Sequence, residues 1–235
     1  MTRRRRKSNP PSVSAEAAML QGTARLIRDH LRRRRVDAAP VAELAPTLGV
    51  TDATLRAAVA READLGLCGE PDAQQVWWLP PAALAAGFEP MLLRGELTLR
   101  LAAADPGLPP LQISGRHVGA APDAERDLPE LRRTGIGPLA YMLARLSLMA
   151  EPWLTAAHKQ RPGGLLERVA AAWRSSPAPA WSSGSLRIYQ GREADPSAPQ
   201  LELVVWVDDR GSLQLVNFYP AGTHRDIFEQ EACGG

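Results

Sequence analysis

Four histidines, two cysteines and scattered carboxylates are the side chains of this 235-residue sequence whose types suit metal binding or acid–base chemistry. Their spacing argues against both. His30, His117, His158 and His224 stand far apart, and no two sit at the i, i+4 interval that places two imidazoles on one helix face. Cys68 and Cys233 have no second thiol nearby, which excludes a cysteine-based zinc site. His224 with Asp226, Glu229 and Glu231 reads as a charged helical stretch. Glu202, Asp208 and Asp209 would suit a magnesium-dependent nuclease. Yet no lysine lies near them, and Asp208-Asp209-Arg210-Gly211 is accounted for as turn chemistry. Neither a GxxxxGK[ST] phosphate loop nor a GxSxG elbow occurs. The expectation is a protein that is not an enzyme, with no catalytic residues, metal or cofactor.

The arginines carry a different message. The formal net charge of +2 conceals a division: residues 1–35 hold eleven basic side chains against Glu16 and Asp29, whereas the remaining residues carry 17 basic and 24 acidic groups. Such asymmetry points to contact with a polyanion through one end of the molecule. Two runs account for most of the basic end, Arg3-Arg4-Arg5-Arg6-Lys7 and Arg32-Arg33-Arg34-Arg35. Both suit phosphate contacts with counterion release. The second run also suits a helix C-terminus, where the macrodipole favours cations.

The elements that position these groups follow from periodicity and punctuation. Residues 1–13 form a basic, proline-containing arm, and a helix is expected from Ser14 to Arg34 with Met19, Thr23, Leu26, Ile27, His30 and Leu31 on one apolar stripe. Asp37 to Pro40 breaks the chain. A second helix follows over Val41–Leu48, a third from Thr51 to Ala63, and two short strands lie within Leu65–Leu79. Residues 82–174 read as mainly helical, with residues 82–104 helical in part, a short strand at Leu111–Ser114, and helices over Pro138–Ala150 and Leu165–Arg174. Residues 175–184 read as a Ser/Pro/Ala linker. Residues 185–235 supply strands at Leu186–Gln190, Leu201–Val207 and Leu213–Tyr219, the last two joined as a hairpin.

The stretch VAELAPTLGVTDATLRAAVARE, residues 41–62, resembles the helix-turn-helix of DNA-binding proteins. Ala45 lets two helices cross closely, Gly49 permits the positive φ of the turn, Thr51 caps the next helix, and Leu44, Leu48, Val50, Leu55 and Val59 pack the pair. Pro46 within the first of the two helices departs from the pattern. With a helix before the pair and two strands after it, the resemblance is to the winged form over residues 14–81. It implies an α+β chain, a winged helix-turn-helix followed by a mixed helical and antiparallel-hairpin domain.

The resemblance places Thr51, Asp52, Thr54, Arg56, Ala57 and Arg61 against DNA, with the two arginines reaching guanine edges or phosphates. The wing tip, with Glu70 and Asp72 and no basic residue, would repel phosphate and pack on protein, with one of Trp77 and Trp78 facing the core and the other exposed. Double-stranded DNA is the partner so implied, for a transcriptional regulator or an accessory factor of a mobile element or replicon. The apolar C-terminal hairpin would carry a homodimer or a protein partner. An adaptor that uses the winged helix as a scaffold is the rival reading. No apolar run reaches the roughly 18 residues of a membrane span, and the residues after the basic arm lack a signal peptide's apolar core; a cytoplasmic protein is expected.

Overall fold

A computed structural model of the chain describes residues 13–79, 81–115, 137–150, 164–191 and 200–221. These residues form a mixed α+β structure of two packed units. The first begins with helix α1, Val13–Arg34, and continues through strand β1, Ala38–Pro40, helices α2, Val41–Leu48, and α3, Asp52–Val59, and strands β2, Leu65–Cys68, and β3, Gln75–Trp78. The strands form a small antiparallel sheet in the order β1-β3-β2, with Ala38 opposite Trp77 and Leu65 opposite Trp78. Leu20, Ala24, Ile27 and Leu31 of α1 pack with Leu44, Leu55, Ala58, Val59 and Val76. Each large apolar side chain buried there contributes about 1.5–3 kcal/mol.

Three expectations change here. Met19 and Leu26 are 49% and 45% exposed, and Leu20 and Ala24 take their places in the core. Thr23, Ile27, His30 and Leu31 are shared by both possible stripes, so spacing alone does not choose between them; the side on which α3 packs does. The break at Asp37–Pro40 contains a strand, because β3 offers it a pairing edge that Ala-Ala-Pro does not announce. The third helix also stops at Val59, four residues short of the expected end.

The second unit begins with helix α4, Pro81–Ala85, and hairpin strands β4, Glu89–Leu93, and β5, Glu96–Leu101. Strand β6, Leu111–Ser114, follows, then helices α5, Pro138–Ala150, and α6, Gly164–Ser175. Strands β7, Trp181–Ser183, β8, Leu186–Gln190, β9, Leu201–Val207, and β10, Leu213–Pro220, complete one seven-stranded sheet, ordered β4-β5-β6-β10-β9-β8-β7. All neighbours are antiparallel except β6 and β10, which run parallel with Leu111 opposite Leu213. The expected hairpin, β9 and β10, is thus two strands of a seven-stranded sheet. The Ala/Leu-rich stretch 82–104, expected to be partly helical, supplies two of its strands, and the expected linker at 175–184 contains edge strand β7. Leu99, Leu101 and Ile113 on the sheet pack with Leu139, Met142, Val169 and Trp173 of α5 and α6.

The units share a boundary. Trp77 and Leu79 of the first belong to the core of the second. Gly66 on β2 lies so close to the Trp77 indole that an added Cβ would stand 2.0 Å from a ring carbon. At the α1–β1 junction the buried Asp37 carboxylate accepts backbone N–H bonds from Leu139 at 2.7 Å and Ala140 at 2.9 Å. It thereby caps the N-terminus of α5 from another part of the chain, satisfying donors that have no partner within the helix. No helix among the described residues is long and apolar enough to cross a membrane.

Candidate nucleic-acid interface

The turn between α2 and α3 is built from local signals. Gly49 has φ 67°, the left-handed conformation, and its N–H turns back to the Ala45 and Pro46 carbonyls. Pro46 sits in the second half of α2, and its carbonyl takes part in closing the helix. Thr51 then accepts the Thr54 N–H at 3.1 Å through Oγ1, and its hydroxyl also meets the Thr54 hydroxyl at 2.9 Å. This is an N-cap, worth about 1 kcal/mol. Leu55, Ala58 and Val59 face the core, so Asp52, Ala53, Ala57 and Ala60 are left facing outward.

The β2–β3 connection, expected as a wing, meets this helix at Gln74. Between β2 and β3 the chain makes a 3₁₀ turn at Pro71–Ala73, with Glu70 and Asp72 exposed. At the wing base the Gln74 carbonyl accepts the Val41 N–H at 3.0 Å, and the Gln74 side-chain oxygen accepts a bond from Arg56. Gln74 therefore joins the start of α2 to the middle of α3. The Arg56 guanidinium, expected to face DNA, is half-buried and engaged in this bond, whereas Arg61, just past α3, is exposed.

The second arginine run is also partly engaged. Arg34 pairs with Glu43 of α2. Arg32 lies 5.3 Å from the centre of the Trp78 ring and 3.8 Å from the Asp29 carboxylate. Arg33 donates to the Asp29 carbonyl at 3.2 Å. Arg35 ends α1 with φ 54°. All four remain exposed. Register places this run by Trp77 and Trp78, the end of the small sheet away from the wing tip. The structure thus holds Arg56 against Gln74, leaves Thr51 and Asp52 exposed at the start of α3, and sets Arg32 by Trp78 and Arg34 by Glu43 in the first turn of α2. Arg3–Lys7 lie outside the described residues.

A corner that composition does not reveal links α1 to the end of α3. Arg28 donates to Asp64 at 2.9 and 2.6 Å and also reaches Glu62, while the Trp78 indole N–H donates to Asp64 at 2.9 Å. Burial alone would raise the Asp64 carboxyl, but the Arg28 guanidinium and the indole N–H carry it below its ordinary value. The hydrogen bond to Asp64 likewise raises Arg28, so the cation is held.

The remaining candidates fall elsewhere. His30 is a core residue whose Nε2 makes no hydrogen bond and lies 4.0 Å from the Glu43 carboxylate, and burial pushes the Cys68 thiol up to about 11, which leaves it protonated at neutral pH. Glu202 and Asp208 are six residues apart, at the start of β9 and just past its end, about 20 Å along an extended strand. Asp208 accepts the Arg210 and Ser212 N–H groups within its turn. Among the described residues no cluster of three His, Cys, Asp or Glu is placed to hold a metal. His117, His158, His224, Asp226, Glu229 and Glu231 lie outside the described residues. No family model, curated protein sequence or solved structure matches this chain, so its function has to be argued from its own geometry.

Proposed function

We propose that the chain binds double-stranded DNA through its N-terminal unit, a winged helix-turn-helix, and serves as a transcriptional regulator or an accessory factor of a mobile element or replicon. The observation that carries this reading is the order α1-β1-α2-α3-β2-β3 with sheet order β1-β3-β2. Within it, the left-handed Gly49 and the Thr51 cap leave the start of α3 exposed beside the wing. In such a motif that end enters the major groove.

The side chains on offer favour phosphate over base readout. Ala53 and Ala57 offer no more than apolar contact to a thymine methyl, and Arg56 must leave Gln74 to reach a guanine. Affinity then comes chiefly from Arg3–Lys7, Arg32–Arg35 and Arg61 on phosphates. Anisotropy titration of a labelled duplex tests this: joint alanine replacement at Arg32, Arg33 and Arg61 is expected to weaken binding uniformly across sequences. Unchanged binding in that variant refutes the assignment.

A second reading rests on the same helix. Ala53, Ala57 and Ala60 form a small, smooth exposed surface, and between Val36 and Leu79 the sole basic residues are Arg56 and Arg61, against Asp37, Glu43, Asp52, Glu62, Asp64, Glu70 and Asp72. That surface suits a partner helix, and the chain is then an adaptor. Replacing Ala57 with Glu would abolish partner capture while leaving duplex affinity nearly unchanged. The second unit is the place for self-association in either case, since Trp206 on β9 and Trp181 on β7 are both strongly exposed for tryptophan.

A further inference from the structure

The sheet face away from α5 and α6 carries polar side chains sunk into it. Thr98 on β5, Ser114 on β6 and Gln214 on β10 are 2%, 6% and 5% exposed. Thr98 is directly opposite Ser114, and Gln214 lies beside Gln112 in the parallel pair. Gln214 Nε2 donates to Gln112 Oε1 at 2.6 Å, while the buried Gln214 Oε1 has no donor. A buried carbonyl oxygen left unpaired is costly, so a group that supplies a donor is stabilised there.

These side chains floor a cleft of about 310 Å³, walled by the β4–β5 turn on one side and the β9–β10 turn on the other. That volume lies at the small end of ligand clefts, roughly 300–1,000 Å³, and suits a metabolite rather than a polymer. Arg94 and Glu96 stand on the first wall, Asp208, Asp209 and Arg210 on the second; Glu96 and Asp208 are engaged elsewhere, Asp208 by the N–H groups of its own turn, and among the described residues Arg94, Asp209 and Arg210 are in no ion pair. Arg94 occupies the first position of a two-residue turn with φ 56°, followed by Gly95 at φ 80°. That position favours Asn, Asp or Gly, and an arginine there is strained.

We propose that this cleft binds a free α-amino acid. Arg94 and Arg210 receive its carboxylate in the bidentate geometry a guanidinium allows. Asp209 and the Gln214 oxygen receive its ammonium, and the Thr98 and Ser114 hydroxyls bond the atoms between. A simple anion leaves Asp209 and Gln214 unanswered, and a simple cation leaves the two arginines unanswered. A molecule with both charges answers all four.

Isothermal titration of the full chain, in the absence of DNA, with each proteinogenic amino acid and with its uncharged N-acetyl amide tests the assignment. The expected result is that at least one amino acid binds with a Kd of about 1 mM or tighter and that its amide does not. Arg94→Ala with Arg210→Ala, and separately Asp209→Asn, would each weaken that binding about tenfold or more, whereas Arg187→Ala outside the cleft would not. These are exposed turn residues, so circular dichroism is expected to be unchanged. Binding by none of the amino acids, equal binding of an amide, or binding that survives both cleft variants overturns the proposal.

Discussion

Two charged sites, one in each unit, are handled in opposite ways. In the corner where α1 meets the end of α3, Arg28, Asp64, Glu62 and Trp78 satisfy one another, and the ionised forms of Arg28 and Asp64 are favoured. Along α5 in the second unit, Arg145 is 1% exposed, its Nε has no hydrogen-bond partner, and it donates to the Met142 sulfur at 3.7 Å. Burial lowers the pKa of Arg145, whereas carboxylate bonding raises that of Arg28. Asp37, between the units, has backbone N–H partners and no cation among the described residues, and burial raises it despite those bonds. A charge network therefore fixes the first unit internally. The junction combines the packing of Trp77 and Leu79 with one desolvated carboxylate.

The largest expected effect is at that junction. Asp37→Ala leaves two N–H groups at the start of α5 without acceptors, and urea unfolding should report a loss of about 2–3 kcal/mol. Asp37→Asn keeps one acceptor and should lose about half as much. A loss below about 0.5 kcal/mol for the alanine variant would show that the units are held by Trp77 and Leu79 instead. In the corner, Arg28→Met removes the cation from Asp64 and Glu62, both partly solvated, and should cost about 1–2 kcal/mol. Arg145→Met is expected to act in the other direction, raising stability by about 1 kcal/mol, because it removes a buried cation without stranding an acid. A destabilising result there would reveal a compensating contact for Arg145.

Acid separates the two aspartates. The lowered pKa of Asp64 gives stability that is present above its unfolded value of 3.8 and lost as pH falls through the folded value. The raised pKa of Asp37 has the opposite sign: its contribution is fully present below 3.8 and lost as pH rises through its folded value. Asp64→Asn should therefore flatten the acid limb of a stability–pH curve, and Asp37→Asn should remove a decline just above pH 3.8. The smallest effect is Arg32→Ala, which removes an exposed cation–π contact worth about 0.5 kcal/mol.

The first unit is largely legible in the sequence because its signals are local. Val41–Leu48 can be read to the residue, since Gly49 and Thr51 mark the turn by what their own backbones and side chains do. Strands β2 and β3 follow one another closely. The second unit hides its organisation in a parallel pair whose members, Leu111 and Leu213, lie far apart in sequence, and in a hairpin whose Ala- and Leu-rich approach resembles helix. The candidate interface divides in the same way. Thr51 and Gly49 stand out in the sequence, but the hold of Gln74 on Arg56 and of Glu43 on Arg34 leaves no periodic trace, nor do the roles of Asp37 and Asp64.

The central claim, duplex binding dominated by phosphate contacts from the basic end, is tested most directly by the salt dependence of duplex affinity. A plot of log affinity against log salt should be steep and nearly the same for unrelated sequences. Replacing Arg3, Arg4, Arg5 and Arg6 with alanine should reduce the slope by up to about 3.6, at about 0.9 for each phosphate no longer neutralised. A slope near zero for the full chain, or one that those four substitutions leave unchanged, would contradict the account.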